Sequence, residues 1–235
     1  GAFYGFDTML DARTLDYRGP EFGWWRIPDQ YALAALDAKA GDGGPRFVFF
    51  PTITSHAPFR PTPPYQRDWS RLLGAAPYGP EAAAALALAP DWTELAPAYG
   101  DTLAYVHEWL AGWLTLRAAA DVTLVVLGDH QPPAAVAGPN ADWSVPVHVI
   151  SRRAPVLESL RAAGFVTGLV PPRTALGELH ELRAPLLRAF RDATAVAPAA
   201  RAGSAEPARV DVAGRTARPA VEQPPPQRAG VQPLG

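Results

Sequence analysis

The sequence predicts an α/β fold with a largely parallel sheet, because short apolar runs alternate with segments of helical periodicity. Three runs, at residues 46–50, 122–127 and 145–150, are apolar at successive positions and rich in β-forming side chains. Runs that are apolar on both faces are typical of strands that lie between two layers of helices. We therefore expect a sandwich in which strands and helices follow one another along the chain.

Helices are predicted between and after these strands. The first spans residues 29–40, where Asp29 is a candidate N-cap and Gly41 ends the helix. The second covers about 98–119 and carries apolar side chains along one face. A third spans 155–163, and a fourth, at 179–190, is expected to kink or restart at Pro185.

Composition limits the class of protein. The chain has 235 residues, 48% of them hydrophobic, with a formal net charge of -2 and no cysteine. This length predicts a single folded domain, which we place at residues 1–195. The lack of cysteine excludes disulfides, thiol nucleophiles and thiolate metal sites, and the near-neutral charge predicts no nucleic-acid partner. No stretch approaches the roughly 20 apolar residues of a membrane span.

Residues 196–235 differ from the rest of the chain. Prolines are scattered there among Ala, Arg, Gly and Gln, with no aromatic residue and no apolar period. Such a segment cannot bury enough apolar surface to offset the entropy that ordering would cost. The sequence therefore predicts a disordered tail at 196–235.

Polar residues directly after two of the predicted strands are the main functional signal. Thr54, Ser55 and His56 follow the first strand, and Asp129 and His130 follow the second. Ligands of open parallel sheets bind at the carboxyl ends of the strands. We therefore expect both loops to leave the same edge of one sheet.

Each of these loops has two interpretations. Asp129 and His130 have the oxygen and nitrogen donors of a divalent metal site, but Asp129 would equally suit a turn in which it bonds its own backbone. His56 lies in a loop stiffened by Pro58, Pro61, Pro63 and Pro64. That loop suits substrate positioning, and it also suits a surface crossover.

Other candidates are less specific. Arg26 beside Trp24 would hold a phosphate or sulfate group, or the same cluster would close the space between the N-terminal loop and the sheet. His148 is expected to be a satisfied core residue. His107 and His180 are expected to be structural or solvated.

Five segments together resemble a known family. Residues 52–59 read Thr-Ile-Thr-Ser-His-Ala-Pro-Phe, residues 127–130 read Leu-Gly-Asp-His, and residues 145–147 read Val-Pro-Val. With Phe-Tyr-Gly-Phe-Asp at 3–7 and Ile-Pro-Asp-Gln-Tyr at 27–31, their order over residues 3–193 resembles the sulfatase branch of the alkaline phosphatase superfamily. The chain is most similar to the membrane-anchored, lipoteichoic acid synthase-like phosphotransferases and sulfatase-like proteins of bacterial envelopes.

The resemblance implies a three-layer α/β/α sandwich on the extracytoplasmic face of the cell envelope, with one divalent metal ion (Mn, Mg, Zn or Ca). The metal-binding Asp-His pair of the family maps onto Asp129 and His130. Its substrate or leaving-group histidine maps onto His56. The other implied substrate-binding residues are Trp24, Arg26, Thr54 and Ser55.

The family also has a Thr or Ser nucleophile and a further acidic metal ligand, on strands upstream of every motif matched here. The resemblance thus implies the C-terminal part of such a protein, with any membrane anchor in its N-terminal part. We expect a metal-dependent hydrolase or transferase for phosphate or sulfate esters, lipid-linked ones among them, although whether this chain alone is an enzyme stays open. The alternatives are a non-catalytic binding or structural module of the same fold and an independent metal hydrolase that uses Asp129, His130 and His148.

Overall fold

A computed structural model describes residues 2–41, 44–196 and 210–212 of the chain. In these residues the fold is mixed α/β, with few and short strands. This confirms the α/β class that the sequence predicts.

Seven α-helices are found in the described ranges. They are α1 (Asp29–Ala40), α2 (Trp69–Leu72), α3 (Glu81–Leu86), α4 (Ala96–Leu116), α5 (Ala134–Ala137), α6 (Ala154–Ala162) and α7 (Arg183–Val196), with 3-10 helices at Ala2–Tyr4 and Leu179–Leu182. The four helices that the periodicity predicts correspond to α1, α4, α6 and α7. The very short helices α2 and α5 have no periodic signal, because one turn is too short to show a period.

Two helix ends differ from the expectation in an informative way. Pro28, and not Asp29, is at the N-cap of α1, and the Asp29 side chain does not cap its own helix. The last helix begins at Arg183, two residues before Pro185. Pro185 therefore lies in the first turn, where its missing N–H needs no helical partner.

The strands form two sheets within the described residues. They are β1 (Thr8–Leu10), β2 (Val48–Phe49), β3 (Thr123–Leu127), β4 (Val147–Ser151) and β5 (Val210–Val212). β5 pairs in parallel with β1 on one side and with β2 on the other. β3 and β4 form a separate antiparallel pair, with Val125 opposite Val149.

The antiparallel β3–β4 pair corrects the expectation of one mostly parallel sheet. A parallel connection usually needs a helix long enough to pack across the sheet, and α5 provides only four residues. β2 and β3 also belong to different sheets. The expectation that both polar loops leave one edge of a single sheet is therefore wrong.

The largest core cluster surrounds α1. Eight successive residues at the start of α1, from Asp29 to Leu36, are buried. Over these eight residues the helix has no solvent face, which explains why this part of its sequence has no polar stripe. The packed neighbours of α1 include Trp25, Leu72, Tyr105 and Trp109.

Two smaller clusters complete the core. In the first, Phe59 packs with Leu95 and Ala98, the latter on α4. In the second, Val156 and Leu160 of α6 pack with Ala189 of α7. Val149 of β4 lies against this second cluster and connects the antiparallel pair to the two helices.

The predicted tail falls mostly outside the described residues. Of residues 196–235, the structure describes only Val196, at the end of α7, and β5. The disorder predicted for the remaining tail residues therefore stays a prediction. Among the described helices, none has the length and apolar character that crossing a membrane requires.

Candidate functional site

The loop that carries His56 is held by the first residue of α1. The buried Asp29 carboxylate accepts hydrogen bonds from the Ile53 amide at 3.0 Å and from the Thr54 amide at 2.9 Å. The His56 amide in turn donates to the Ile53 carbonyl at 3.0 Å. Burial raises the pKa of Asp29, while the bonds from the Thr54 and Ile53 N–H groups oppose this shift.

His56 and Trp24 lie together at the surface of this loop. Their ring centroids are 5.1 Å apart, in an edge-on arrangement with an interplanar angle of 79°. The Trp24 indole donates to the Ala57 carbonyl at 3.3 Å, and His56 Nδ1 lies 2.8 Å from the same oxygen. Because a carbonyl oxygen only accepts, Nδ1 bears the proton, and Nε2 is the ring atom left for a ligand.

The Trp24–Trp25–Arg26 cluster divides into an inward and an outward part. Trp25 is buried in the main core, whereas Trp24 is 47% exposed. A two-way backbone pairing of Phe22 with Arg26 holds this tight turn. The two interpretations of the cluster thus apply to different residues: Trp25 fills the core, and Trp24 faces the candidate site.

Arg26 is available at the surface beside Trp24. Its guanidinium forms an ion pair with Glu21, and both side chains are more than half exposed. Its backbone φ is +65°, in the left-handed region that L-residues other than Asn and Asp seldom adopt. An exposed pair of this kind is weak, so an anionic ligand can replace Glu21 at small cost.

The side chains of Asp129 and His130 lie close to each other in an exposed turn. Asp129 Oδ2 lies 3.6 Å from His130 Nε2, so one ion between these atoms would be within reach of both. His130 Nδ1 lies 2.7 Å from the Gln131 carbonyl, which leaves Nε2 with its lone pair. Asp129 also accepts the His130 amide at 3.0 Å, which is the local backbone bond that the turn interpretation predicts.

Residues near each of the two polar loops pack against one apolar cluster, although the strands before the loops lie in different sheets. Ala57, next to His56, packs against the cluster of Phe59, Leu95 and Ala98. Val136, in the short helix that follows the Asp129–His130 turn, packs against the same cluster. The cluster therefore brings the segment after His56 and the segment after His130 to one region of the molecule.

The remaining predicted residues have other surroundings. Thr54 is fully buried, and Ser55 beside it is half-buried. Burial of Thr54 favours a role in holding the loop over direct contact with a substrate. His148 has a partner, since its Nε2 is 2.9 Å from the Leu169 carbonyl, but it is half-buried and not the core residue that was expected.

The metal donor set within the described ranges is limited to a pair. No group of three or more His, Cys, Asp or Glu side chains is arranged to hold a metal ion there. Asp129, His130 and His148 therefore do not form a common site, and the hypothesis of an independent metal hydrolase built on these three residues is wrong. The pair fits a metal as two of its ligands.

Sequence reasoning did not identify Asp29, Gln30 and Gln66 as residues that shape the site. Gln30 Nε2 donates to the Gln66 carbonyl at 2.7 Å, and the Gln66 amide donates to Gln30 Oε1 at 2.9 Å. Both glutamines are buried. The sequence signal for these roles was two adjacent polar residues, Asp29 and Gln30, directly before an apolar run of six residues in the same helix.

Comparison of the chain with protein-family models, with curated protein sequences and with solved structures gives no match.

Proposed function

We propose that this chain carries part of the active site of a metal-dependent hydrolase or transferase that acts on phosphate or sulfate esters of the bacterial envelope. One observation carries the proposal. An exposed histidine whose Nε2 has no partner among the described residues lies next to Ala57, an exposed Asp-His pair lies six residues before Val136, and Ala57 and Val136 pack against the same cluster of Phe59, Leu95 and Ala98. The order of the sequence motifs, which resembles the sulfatase branch, supports the same function.

His56 is the group that would act at the leaving oxygen. When a hydroxyl attacks the phosphorus or sulfur atom, the bond to the leaving alkoxide breaks and that oxygen gains negative charge. His56 Nε2, in its protonated form, gives a proton to this oxygen. The bond between Nδ1 and the Ala57 carbonyl and the contact with Trp24 fix the orientation of the ring.

Arg26 and Trp24 would bind the charged end of the ester. The guanidinium offers several N–H donors to phosphoryl or sulfuryl oxygens, which it would bind in place of Glu21. The Trp24 indole beside His56 provides an apolar wall for the ester group.

Asp129 and His130 would hold a divalent cation, chosen among Mn, Mg, Zn and Ca. Their oxygen and nitrogen donors fit such an ion, and the Gln131 carbonyl fixes the tautomer of His130. When bound, the cation would neutralise charge on the phosphoryl or sulfuryl oxygens. We place the nucleophilic hydroxyl and a further acidic ligand on polypeptide outside these 235 residues.

We also propose that β2 belongs to a larger α/β/α sandwich at the extracytoplasmic face of the membrane. Phe47 is 60% exposed and Phe49 is 54% exposed, and Val48 between them, which points to the opposite face, is 39% exposed. The Phe47 ring, which precedes β2, stacks on Phe6, yet a strand region that stays apolar and largely exposed on both faces is typical of a sheet that further strands and helices complete. The strands that bear the nucleophile are the segments that this proposal assigns to that place.

The test is a metal titration read by thermal unfolding. Mn²⁺, Zn²⁺, Mg²⁺ and Ca²⁺ are added to the parent chain and to the variant Asp129→Ala. An ion at about 100 times its Kd stabilises the folded state by about 2.7 kcal/mol. For a chain of this size that corresponds to a rise in Tm of about 5–10 °C.

The matched control is Asp91→Ala. Asp91 is also an exposed aspartate that accepts a nearby amide, here that of Thr93 at 2.9 Å. We expect the rise in Tm in the parent and in Asp91→Ala, and its loss in Asp129→Ala. Equal responses of all three proteins, or no response of any, would contradict the proposal and favour the non-catalytic module of the same fold.

A further inference from the structure

We propose that Asp29 is a positioning residue that sets the place and orientation of the His56 imidazole. The inference rests on the proposed function in one respect, which is that His56 acts on the ester. Asp29 itself is 3% exposed and lies at the first residue of α1, beneath the loop and away from solvent.

A continuous chain of hydrogen bonds connects Asp29 to His56. The carboxylate binds the N–H groups of Ile53 and Thr54, with distances of 2.9 to 3.1 Å. The Ile53 carbonyl accepts the His56 amide, and the His56 carbonyl accepts the Phe59 amide at 3.1 Å. Displacement of the Ile53–Thr54 backbone would therefore move the backbone on both sides of the His56 side chain.

The residue after Asp29 holds the other end of the same loop. Gln30 and Gln66 exchange two hydrogen bonds between the Gln30 side-chain amide and the Gln66 backbone. Two adjacent residues of one rigid helix thus fix the loop at residues 53–54 and at residue 66. His56 and Ala57 lie between these two fixed positions of the loop, and the Ala57 carbonyl accepts the Trp24 indole N–H.

The two carboxylate oxygens of Asp29 suit the two backbone N–H groups that they accept. A carboxylate has only acceptors, whereas the side chain of asparagine has one oxygen and an NH₂ group that only donates. Within the described ranges the Asp29 carboxylate accepts the N–H groups of Ile53 and Thr54, the Thr54 side chain also favours its charged form, and no cation acts on it. Burying a charge without a cation is costly, so an uncharged residue would serve a purely structural helix start better.

The experiment compares two isosteric variants on the same helix by NMR of the full 235-residue chain. Asp29→Asn removes one of the two acceptor atoms that face the loop. Asp37→Asn is the matched control, because Asp37 accepts the Trp113 indole at 2.6 Å and contacts Arg117, and does not touch the loop. Four signals are followed: the Ile53 and Thr54 amides, the His56 ring C–H and the Trp24 indole N–H.

We expect Asp29→Asn to speed hydrogen exchange at the Ile53 and Thr54 amides by about tenfold or more, since a hydrogen bond to a charged group is lost. We also expect the His56 and Trp24 signals to shift in this variant. All four signals should stay unchanged in Asp37→Asn. A folded Asp29→Asn with unshifted His56 and Trp24 signals, or equal shifts in both variants, would overturn the inference.

A second variant keeps the test decisive if Asp29→Asn does not fold. Asp29→Ser retains a smaller acceptor, so we expect shifts of the same four signals in the same direction; unshifted His56 and Trp24 signals would overturn the inference. These readouts need neither metal nor substrate. Shifts as expected, together with no metal response in the Tm titration, would reject the proposed function and leave the positioning of His56 by Asp29 intact.

Discussion

At the scale of single residues, the candidate site depends on side chains whose roles differ from those their sequence context favours. Asp29 is of the residue type that caps helices, yet it is the first residue of α1 and its carboxylate accepts the amides of a loop 24 and 25 residues away. Trp24 and Trp25 are adjacent, yet one faces solvent and the other lies in the core. Both cases follow from tertiary contacts, which a local pattern does not contain.

Removal of the Asp29 carboxylate should destabilise the chain and change its pH dependence. Asp29→Ala leaves two N–H groups with no acceptor, at a cost of about 1–3 kcal/mol. Burial raises the pKa of Asp29 in the folded state above its value of 3.8 in the unfolded state. At a pH between the unfolded and the folded pKa, the folded state therefore binds more protons than the unfolded state. Stability from this group is then complete below pH 3.8 and falls as pH rises through the folded pKa.

Urea unfolding of the parent and Asp29→Ala across this pH range measures the effect. The difference between their free energies of unfolding should shrink as pH rises. A difference that grows with pH would show that the N–H groups outweigh burial, and that the pKa of Asp29 is lowered.

Arg26 should bind an anion without contributing to stability. Its ion pair with Glu21 is exposed, so we expect Arg26→Ala to leave Tm unchanged in the absence of anions. Inorganic phosphate should raise Tm less in this variant than in the parent. Arg18→Ala is the control, because Arg18 forms a similarly exposed pair with Asp16.

The control also accounts for the general effect of phosphate, which strengthens burial of apolar surface in any protein. Equal gains in Arg26→Ala and Arg18→Ala would contradict a role for Arg26 in anion binding. The measurement is a thermal unfolding series at constant ionic strength.

At the scale of elements, the sequence predicts the long helices well and the strand pairing poorly. The α1 helix ends at Ala40 as expected, because Gly41 adopts the positive φ of +63° that glycine tolerates. The direction of β4 relative to β3 was not predictable, since both strands are apolar on successive positions whether they pair in parallel or antiparallel. The two polar loops were expected at a shared sheet edge, whereas their strands lie in different sheets and only the nearby residues Ala57 and Val136 contact a common cluster.

The packing of α6 on α7 gives a prediction at this scale. Leu160 on α6 is 2% exposed, and it packs with Val156 and Ala189. We expect Leu160→Ala to lower the free energy of unfolding by about 2–5 kcal/mol, since it leaves a cavity between the helices. Leu187→Ala on α7, where the side chain is 58% exposed, should change it by less than about 0.5 kcal/mol. Similar losses in both variants, measured by urea unfolding, would contradict this packing.

At the scale of the whole molecule, the proposed site combines residues from two distant parts of the sequence. Trp24 and His56 adjoin the region packed around α1 through Trp25 and through the bond of the His56 amide to Ile53, whereas Asp129 and His130 follow a strand of the β3–β4 pair. Single histidine and aspartate residues in loops carry little information by themselves. The proposal that they form one site therefore rests on the order of the motifs along the chain and on the packing of Ala57 and Val136 against the cluster of Phe59, Leu95 and Ala98.

The most direct test of this account is paramagnetic broadening by Mn²⁺ of the five histidine ring signals of the chain. We predict that Mn²⁺ broadens His130 first and His56 next, with the Trp24 indole signal, and that Asp129→Ala abolishes the effect. His107, His148 and His180 should stay sharper than His56 at the same Mn²⁺ concentration. A sharp His56 beside a broadened His130, or no broadening at His130, would contradict the claim that these loops form one metal-assisted site.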